Sequence, residues 1–326
     1  MAEKLLEAEA VGRSFQLRRR MPFARRRLLH AVTGVSLSVD VGETVGLVGE
    51  SGSGKSTFGR VAAGILPASA GSVRFAGAPL AAQRDTAARR RQARRLQLVF
   101  QDTLGALNPR LPIGRQVCEV LDIHDLHPRP ERMDRAAAAL EEVGIARALL
   151  ARYPHEISGG QRQRVVIARA LISGPELLVC DEPVSALDVS VQAQVVALLQ
   201  ALRRERGLAC LFISHDLRVV RQVCDRVAVM YLGTIVEQAP RASLYATPLH
   251  PYTQALLAAV PVDDPRLRRP RTLLMGEPPS PLDPPGGCRF HPRCPRAVPR
   301  CAVEAPAARE LAPGHIVACH LADTPC

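Results

Sequence analysis

The chain has 326 residues, room for one large or two unequal domains. A formal net charge of +12 favours an anionic partner (nucleotide, nucleic acid or lipid surface), unless it reflects an arginine bias: all but two of the 43 basic residues are Arg. No apolar run reaches the ~18 residues of a membrane span and the N-terminus lacks a signal-peptide core, so membrane-spanning and exported classes are set aside and a cytosolic chain is expected.

There, nine cysteines read as thiols or metal ligands rather than disulfides. With 3% aromatics and no Trp, the core must be aliphatic.

In chain order, residues 5–11 read as a strand ending near Phe15. A basic loop with Arg18-Arg19-Arg20 and Arg25-Arg26-Arg27 follows, either solvated or touching anionic lipid headgroups. Residues 35–39 alternate apolar and polar, as in a half-exposed strand, and turn at Asp40-Val41-Gly42-Glu43. Val45-Gly46-Leu47-Val48 reads as a buried strand. It runs into Gly49-Glu50-Ser51-Gly52-Ser53-Gly54-Lys55-Ser56-Thr57 and then a helix. This is the phosphate-binding loop G-x-x-x-x-G-K-[ST] in its expected setting. Glycines let backbone N–H groups turn around a phosphate chain, and the helix N-terminus adds positive potential. Lys55 would reach the β- and γ-phosphates, and the Ser56 hydroxyl would ligate Mg²⁺. A lysine here, in a chain that otherwise keeps only Lys4, fits a site needing a compact ammonium.

Residues 71–75 read as a strand, 84–95 as a basic surface helix or loop, and 96–100 as a strand ending at Gln101. Residues 112–152 are helical in pattern, suggesting a helical subdomain inserted between strands. Ser158-Gly159-Gly160-Gln161 opens a further helix with Ser158 as N-cap, a second small-residue anion site. One chain hardly needs two such sites for one nucleotide, so a two-fold dimer is expected, each copy completing the other's site.

Residues 177–181 are an apolar run ending in a carboxylate, as in a buried parallel strand. Asp181 would hold Mg²⁺, and Glu182 would polarise the water attacking the γ-phosphate. Two unpaired acids there would be costly without a cation. Residues 189–204 read as a helix and 211–215 as a strand ending in His215, which could bond a γ-phosphate oxygen; Gln101 could sense Mg²⁺ or water. Residues 227–232 and 234–237 read as a terminal strand pair. Alternating strands and helices imply an α/β layer fold with a parallel sheet. Beyond Pro248 the chain is proline-rich, with 14 of the 27 prolines from Pro261 onward, and reads as a separate C-terminal unit.

The ordered set of residues 49–57, Gln101, Ser158 to Gln161, residues 177–182, Ser185-Ala186-Leu187-Asp188 and His215 resembles the ATP-binding subunits of ABC transporters. The resemblance implies a P-loop NTPase with a RecA-like parallel-sheet core over residues 1–240, a helical subdomain at about 102–172, and a small Cys/Pro-rich domain over 241–326. It makes these motifs the Walker A loop, Q-loop, signature, Walker B, D-loop (Asp188) and switch histidine. It also implies Phe15 stacked on adenine and two ATP molecules sandwiched head to tail with a sister ATPase subunit. Tyr153-Pro154-His155-Glu156, Asp188-Val189-Ser190-Val191-Gln192-Ala193-Gln194 and His250-Pro251-Tyr252-Thr253-Gln254-Ala255-Leu256-Leu257 resemble the dipeptide/oligopeptide importer ATPases, with the second, F-type, subunit the nearest match. That implies ATP hydrolysis energising peptide import at the cytoplasmic face of the membrane. The implied partners are two permease subunits and an extracytoplasmic substrate-binding protein. Nickel chelates or glutathione are alternative cargoes, and a soluble nucleic-acid-associated ATPase is the alternative class; no nucleic acid is expected.

Cys288, Cys294, Cys301 and Cys319 are spaced C-x5-C-x6-C-x17-C, unlike zinc ribbons or common ferredoxin runs. In so proline-rich a segment they suggest a metal staple. The resemblance implies a [4Fe–4S] cluster, with zinc or free thiols as alternatives. Cys118, Cys180, Cys210, Cys224 and Cys326 read as ordinary thiols.

Overall fold

The structure is a computed structural model describing residues 3–17, 27–80, 85–185, 187–260 and 276–322. Arg18, Arg19, Arg20, Arg25, Arg26, Ala186 and Cys326 lie outside the described residues.

β1 (Lys4–Gln16) and β2 (Leu28–Asp40) pair antiparallel, with Ala8 opposite Leu37. Buried Leu6, Ala8, Leu37 and Val39 alternate with Glu7, Glu9, Ser36 and Ser38, so one face of this sheet is core and the other faces water. β3 (Thr44–Val48) is buried at every residue, which suits a strand covered on both faces. The phosphate loop follows, then α1 (Lys55–Ala62). β4 (Ala70–Phe75) and β5 (Ala78–Pro79) complete a four-stranded sheet of order β2-β1-β4-β5.

α2 (Thr86–Arg95) buries none of its residues; Asp85 caps it and it runs straight into β6 (Leu96–Val99). Between β6 and β7 (Leu177–Asp181) the chain is helical: α3 (Thr103–Ala106), α4 (Ile113–His124), α5 (Arg132–Glu142) and α6 (Gly159–Leu171). α4, α5 and α6 pack on one another, the helical unit expected from the sequence. Then come α7 (Val189–Arg206), β8 (Ala209–Ser214), α8 (Leu217–Val223), β9 (Arg226–Tyr231), β10 (Thr234–Pro240), α9 (Arg241–Ala246) and α10 (Pro251–Ala258). α11 (Pro299–Val303), β11 (Arg309–Ala312) and β12 (His315–Val317) end the described chain.

The main sheet has eight strands in the order β11-β12-β10-β9-β3-β8-β7-β6. β6, β7, β8, β3 and β9 run parallel, and β10, β12 and β11 extend the sheet antiparallel. α1 lies between the two sheets, with Phe58 fully buried among Leu6, Val35, Val179 and Ile213. The opposite face of the large sheet packs on the helical unit through Leu178, Phe212, Val166 and Leu140.

Two expectations need revision. β9 and β10 are not a terminal pair, because β12 adds to β10 with Val317 opposite Glu237. The segment from 241 onward does not stand apart from the sheet. It supplies β11 and β12, and its Phe290 packs in the same core as Tyr231. An edge strand such as β10 presents a free row of N–H and C=O groups, and a three-residue strand suffices to cover part of it.

Candidate functional site: a phosphate loop and a carboxylate row at the strand ends

The parallel register brings the site together. Val48 pairs with Ser214, Asp181 with Ile213, and Val99 with Cys180. The residues that follow β3, β7, β8 and β6 are Gly49, Glu182, His215 and, one residue on, Gln101, so all emerge at one edge of the sheet. Ligands of parallel α/β sheets bind at this edge.

The phosphate loop is folded tightly. Gly54, the N-cap of α1, has φ 102°, and a Cβ there would sit 2.2 Å from the Ala31 carbonyl oxygen. At Gly49 a Cβ would sit 2.1 Å from the Met230 carbonyl oxygen. Glycine is needed at both positions on steric grounds. Buried Lys55 donates from Nζ to the carbonyls of Gly49 and Glu50, both at 2.8 Å. Burial lowers its pKa, against the pull of Glu182, Asp181 and Glu50.

The Ser56 hydroxyl donates to Asp181 Oδ1 at 2.7 Å, joining the two predicted Mg²⁺ ligands. Asp181 Oδ2 is buried with no hydrogen-bond partner, and burial raises the carboxyl pKa. A buried carboxylate oxygen left without a proton donor is costly unless a cation takes it. The oxygen donor set also suits a hard divalent ion, so these residues fit Mg²⁺. Glu182 adopts φ 49°, and its carboxylate is held between Gln101 Nε2 (2.8 Å) and His215 Nδ1 (3.2 Å). A left-handed glutamate costs about 1–3 kcal/mol and persists where the surrounding structure imposes it.

Ser158 and Gln161 form a reciprocal capping box at the start of α6: Ser158 Oγ accepts the Gln161 N–H and Gln161 Oε1 accepts the Ser158 N–H. Gly159 and Gly160 stand in the first turn of this helix in the helical unit, while Lys55 begins α1 between the sheets. The structure therefore joins Lys55, Ser56, Asp181, Glu182, Gln101 and His215, and it places Ser158, Gly159, Gly160 and Gln161 on a different helix. Asp188 caps α7, accepting the Val191 N–H, and these bonds lower its pKa. Phe15 is half-buried on β1 outside the core, with the Arg13 guanidinium 4.7 Å from its ring centroid.

Every cysteine among the described residues is a free thiol. Cys301 is buried, and Cys288, Cys294 and Cys319 are half-buried. Burial, then the neighbouring thiols, raises the pKa of Cys288, Cys294 and Cys319, so the four share one neighbourhood. Among the described residues, no three His, Cys, Asp or Glu side chains stand as a metal-ligand group. The nearby histidines are otherwise engaged: His291 bonds the Cys288 carbonyl, His315 bonds Glu237, and His320 bonds the Glu304 carbonyl. As they stand, these thiols do not close a metal site.

One set of contacts has no marker in the local sequence. Glu50, inside the phosphate loop, is gripped by Arg293 through two bonds of 2.8 and 3.1 Å, and its backbone N–H donates to the Tyr252 hydroxyl at 2.9 Å. Glu50 and Arg293 are 243 residues apart, and no local pattern announces such a pair.

Fold and site together define a P-loop ATPase of the ABC class. The ABC transporter family model matches residues 32–185, and the model of the oligopeptide/dipeptide transporter C-terminal region matches 236–301, which takes in three of the four clustered cysteines. A putative peptide import ATP-binding protein of Brucella ovis is 51% identical over 295 residues, covering 90% of this chain and 93% of its own. The oligopeptide transport ATP-binding protein AppF of Bacillus subtilis is 47% identical over 321 residues, 98% of each chain. An ATP-binding cassette solved as a dimer in a post-hydrolysis state with ADP and Pi superposes with a TM-score of 0.64 at 26% identity, covering 72% of this chain and 98% of its own. The chain belongs to the ATP-binding subunits of ABC transporters, in the branch with the oligopeptide/dipeptide transporter C-terminal region.

Proposed function

We propose that the chain hydrolyses ATP to drive peptide import through a binding-protein-dependent transporter. The observation that carries the ATPase chemistry is the row Ser56–Asp181–Glu182 with Gln101 and His215 closed on the Glu182 carboxylate. Lys55 and the loop N–H groups bind the β- and γ-phosphates, and Phe15 supports the adenine. Ser56 and Asp181, with Gln101, would hold Mg²⁺, which would neutralise charge developing on the phosphates. Glu182 accepts a proton from the attacking water, and His215 steadies both that carboxylate and the γ-phosphate. Ser158, Gly159, Gly160 and Gln161 complete the site of a sister subunit, with Asp188 at the same seam.

Peptide as cargo is supported by the peptide and oligopeptide transport roles in the names of relatives at 47–51% identity. The partners of this reading are two permeases, a sister ATPase and a substrate-binding protein. No helix among the described residues is long and apolar enough to cross a membrane, which suits a subunit docked on permeases at the cytoplasmic face. The test is Glu182→Gln in the assembled transporter. ATP binding should persist while phosphate release and peptide uptake fall by about 10²–10⁴-fold; hydrolysis at the wild-type rate would remove Glu182 from this role.

For Cys288, Cys294, Cys301 and Cys319 the reading is a [4Fe–4S] cluster, with zinc as the alternative; what supports it is four thiols gathered in one neighbourhood. Iron and sulfide analysis of anaerobically purified protein decides: a chromophore lost in Cys294→Ser supports the cluster, and stoichiometric zinc without iron rejects it.

A further inference from the structure

We infer that Arg293 and Tyr252, both from the C-terminal segment, are positioning residues of the ATP site, acting on the phosphate loop through Glu50. The inference rests on the reading of residues 49–57 as the ATP loop and adds to it a second tether from the far end of the chain.

An acid inside a loop built to hold polyphosphate poses an electrostatic problem. The Glu50 carboxylate repels the nucleotide and competes for the ammonium of Lys55, which already bonds the Glu50 carbonyl. Arg293 answers this. Its guanidinium, with a side chain only 6% exposed, meets Glu50 end-on through two nitrogens and neutralises it. The fork is itself held: Arg293 Nη1 reaches the Tyr231 hydroxyl at 3.5 Å, and the guanidinium carbon lies 5.9 Å from that ring's centroid. Tyr231 packs edge to face on Tyr252 and Phe290, and Tyr252 lies tilted on Phe290, with centroids 4.7–5.4 Å apart, which locks the platform carrying both tethers. Tyr252 then takes the Glu50 N–H, so backbone and side chain of one loop residue are both held from outside the ATP loop. Arg293 lies immediately before Cys294 and Phe290 two residues after Cys288, so the cysteine segment and the phosphate loop form one mechanical unit.

The test is Mg-ATP affinity of the full chain, read by displacement of a fluorescent ATP analogue, with the melting temperature recorded for each variant. Arg293→Met leaves Glu50 charged and unpaired beside the phosphates, so affinity should fall roughly tenfold. Adding Glu50→Gln to that variant removes the offending charge and should restore affinity to within about twofold of Glu50→Gln alone, a rescue that a purely structural arginine would not show. Tyr252→Phe keeps the ring packing, loses the hydroxyl, and should weaken binding about threefold without moving the melting temperature. If Arg293→Met does not fold, Arg293→Lys retains the cation but not the fork and should weaken binding about threefold. A folded Arg293→Met that binds ATP as the wild type does, or a loss that Glu50→Gln leaves unchanged, overturns the inference. Lys55→Ala separates it from the site reading: if that variant binds ATP normally, the ATP loop itself is misassigned, whatever Arg293 does.

Discussion

Glu182 holds its left-handed backbone because its N–H donates to the Ile213 carbonyl at 3.0 Å, where β7 ends beside β8. The same strand end leaves Asp181 Oδ2 without a partner, and Ser56 closes on the other oxygen. These residues have geometry to spare for chemistry and little for stability. Gly54 is the opposite case, since its φ of 102° and the Ala31 carbonyl leave no room for a methyl group. Gly54→Ala should cost roughly 2–4 kcal/mol through strain and forced displacement. It should also abolish the rise in melting temperature that Mg-ATP gives the wild type. Thermal melts with and without Mg-ATP measure both, and a normal nucleotide-induced shift in the variant would contradict the close packing of this loop. The place of Lys55 at the start of α1 was legible from its neighbours, because the whole loop is nine consecutive residues. The bond from Gln101 to Glu182 was not, because it depends on β6 lying next to β7.

Among the elements, α10 and β12 are joined by an acid with no exposed surface. Glu237 accepts the Leu249 and His250 N–H groups and bonds His315 Nε2 at 2.7 Å. Burial works against the Glu237 carboxylate, but these bonds, led by that of His315, hold its pKa below the usual value. His250 caps α10 by accepting the Tyr252 N–H on Nδ1, which requires a neutral ring, and burial lowers its pKa to about 4. Folded, the ring stays neutral down to about pH 4; unfolded, it protonates below 6.5. The unfolded state binds more protons across that window, so stability drops as pH falls from 6.5 toward 4, by roughly 3 kcal/mol from this group. Glu237 adds to the loss below 4.5. Urea unfolding at pH 7, 5.5 and 4.5 should show this decline, and His250→Asn, which can still cap the helix, should flatten it. Equal slopes for variant and wild type would assign the acid sensitivity elsewhere. The stretch His250 to Leu257 was legible as a family marker, yet its work as cap and phosphate-loop tether appears only once β10 and β12 lie beside it.

At the scale of the whole molecule, the loop before α1 and the capping box before α6 stand on different helices, and the proposed ATP sandwich needs the second from a sister subunit. Ser158→Arg should therefore leave ATP binding by this chain unchanged while stopping hydrolysis at the sister subunit's loop. Binding by the isolated chain and phosphate release by the assembled transporter measure the two separately, and normal hydrolysis by the assembly would rule out a shared site. The sequence by itself determined the motif order, the phosphate loop, the pair of acids ending a buried strand and the helical insertion, because each is written in a few neighbouring residues and a local period. Only the tertiary structure decided that the C-terminal segment joins the large sheet and that Arg293 grips Glu50. Those contacts link residues far apart in the chain: β12 lies along the edge of β10, and Arg293 reaches the acid inside the phosphate loop, and neither contact leaves a local pattern.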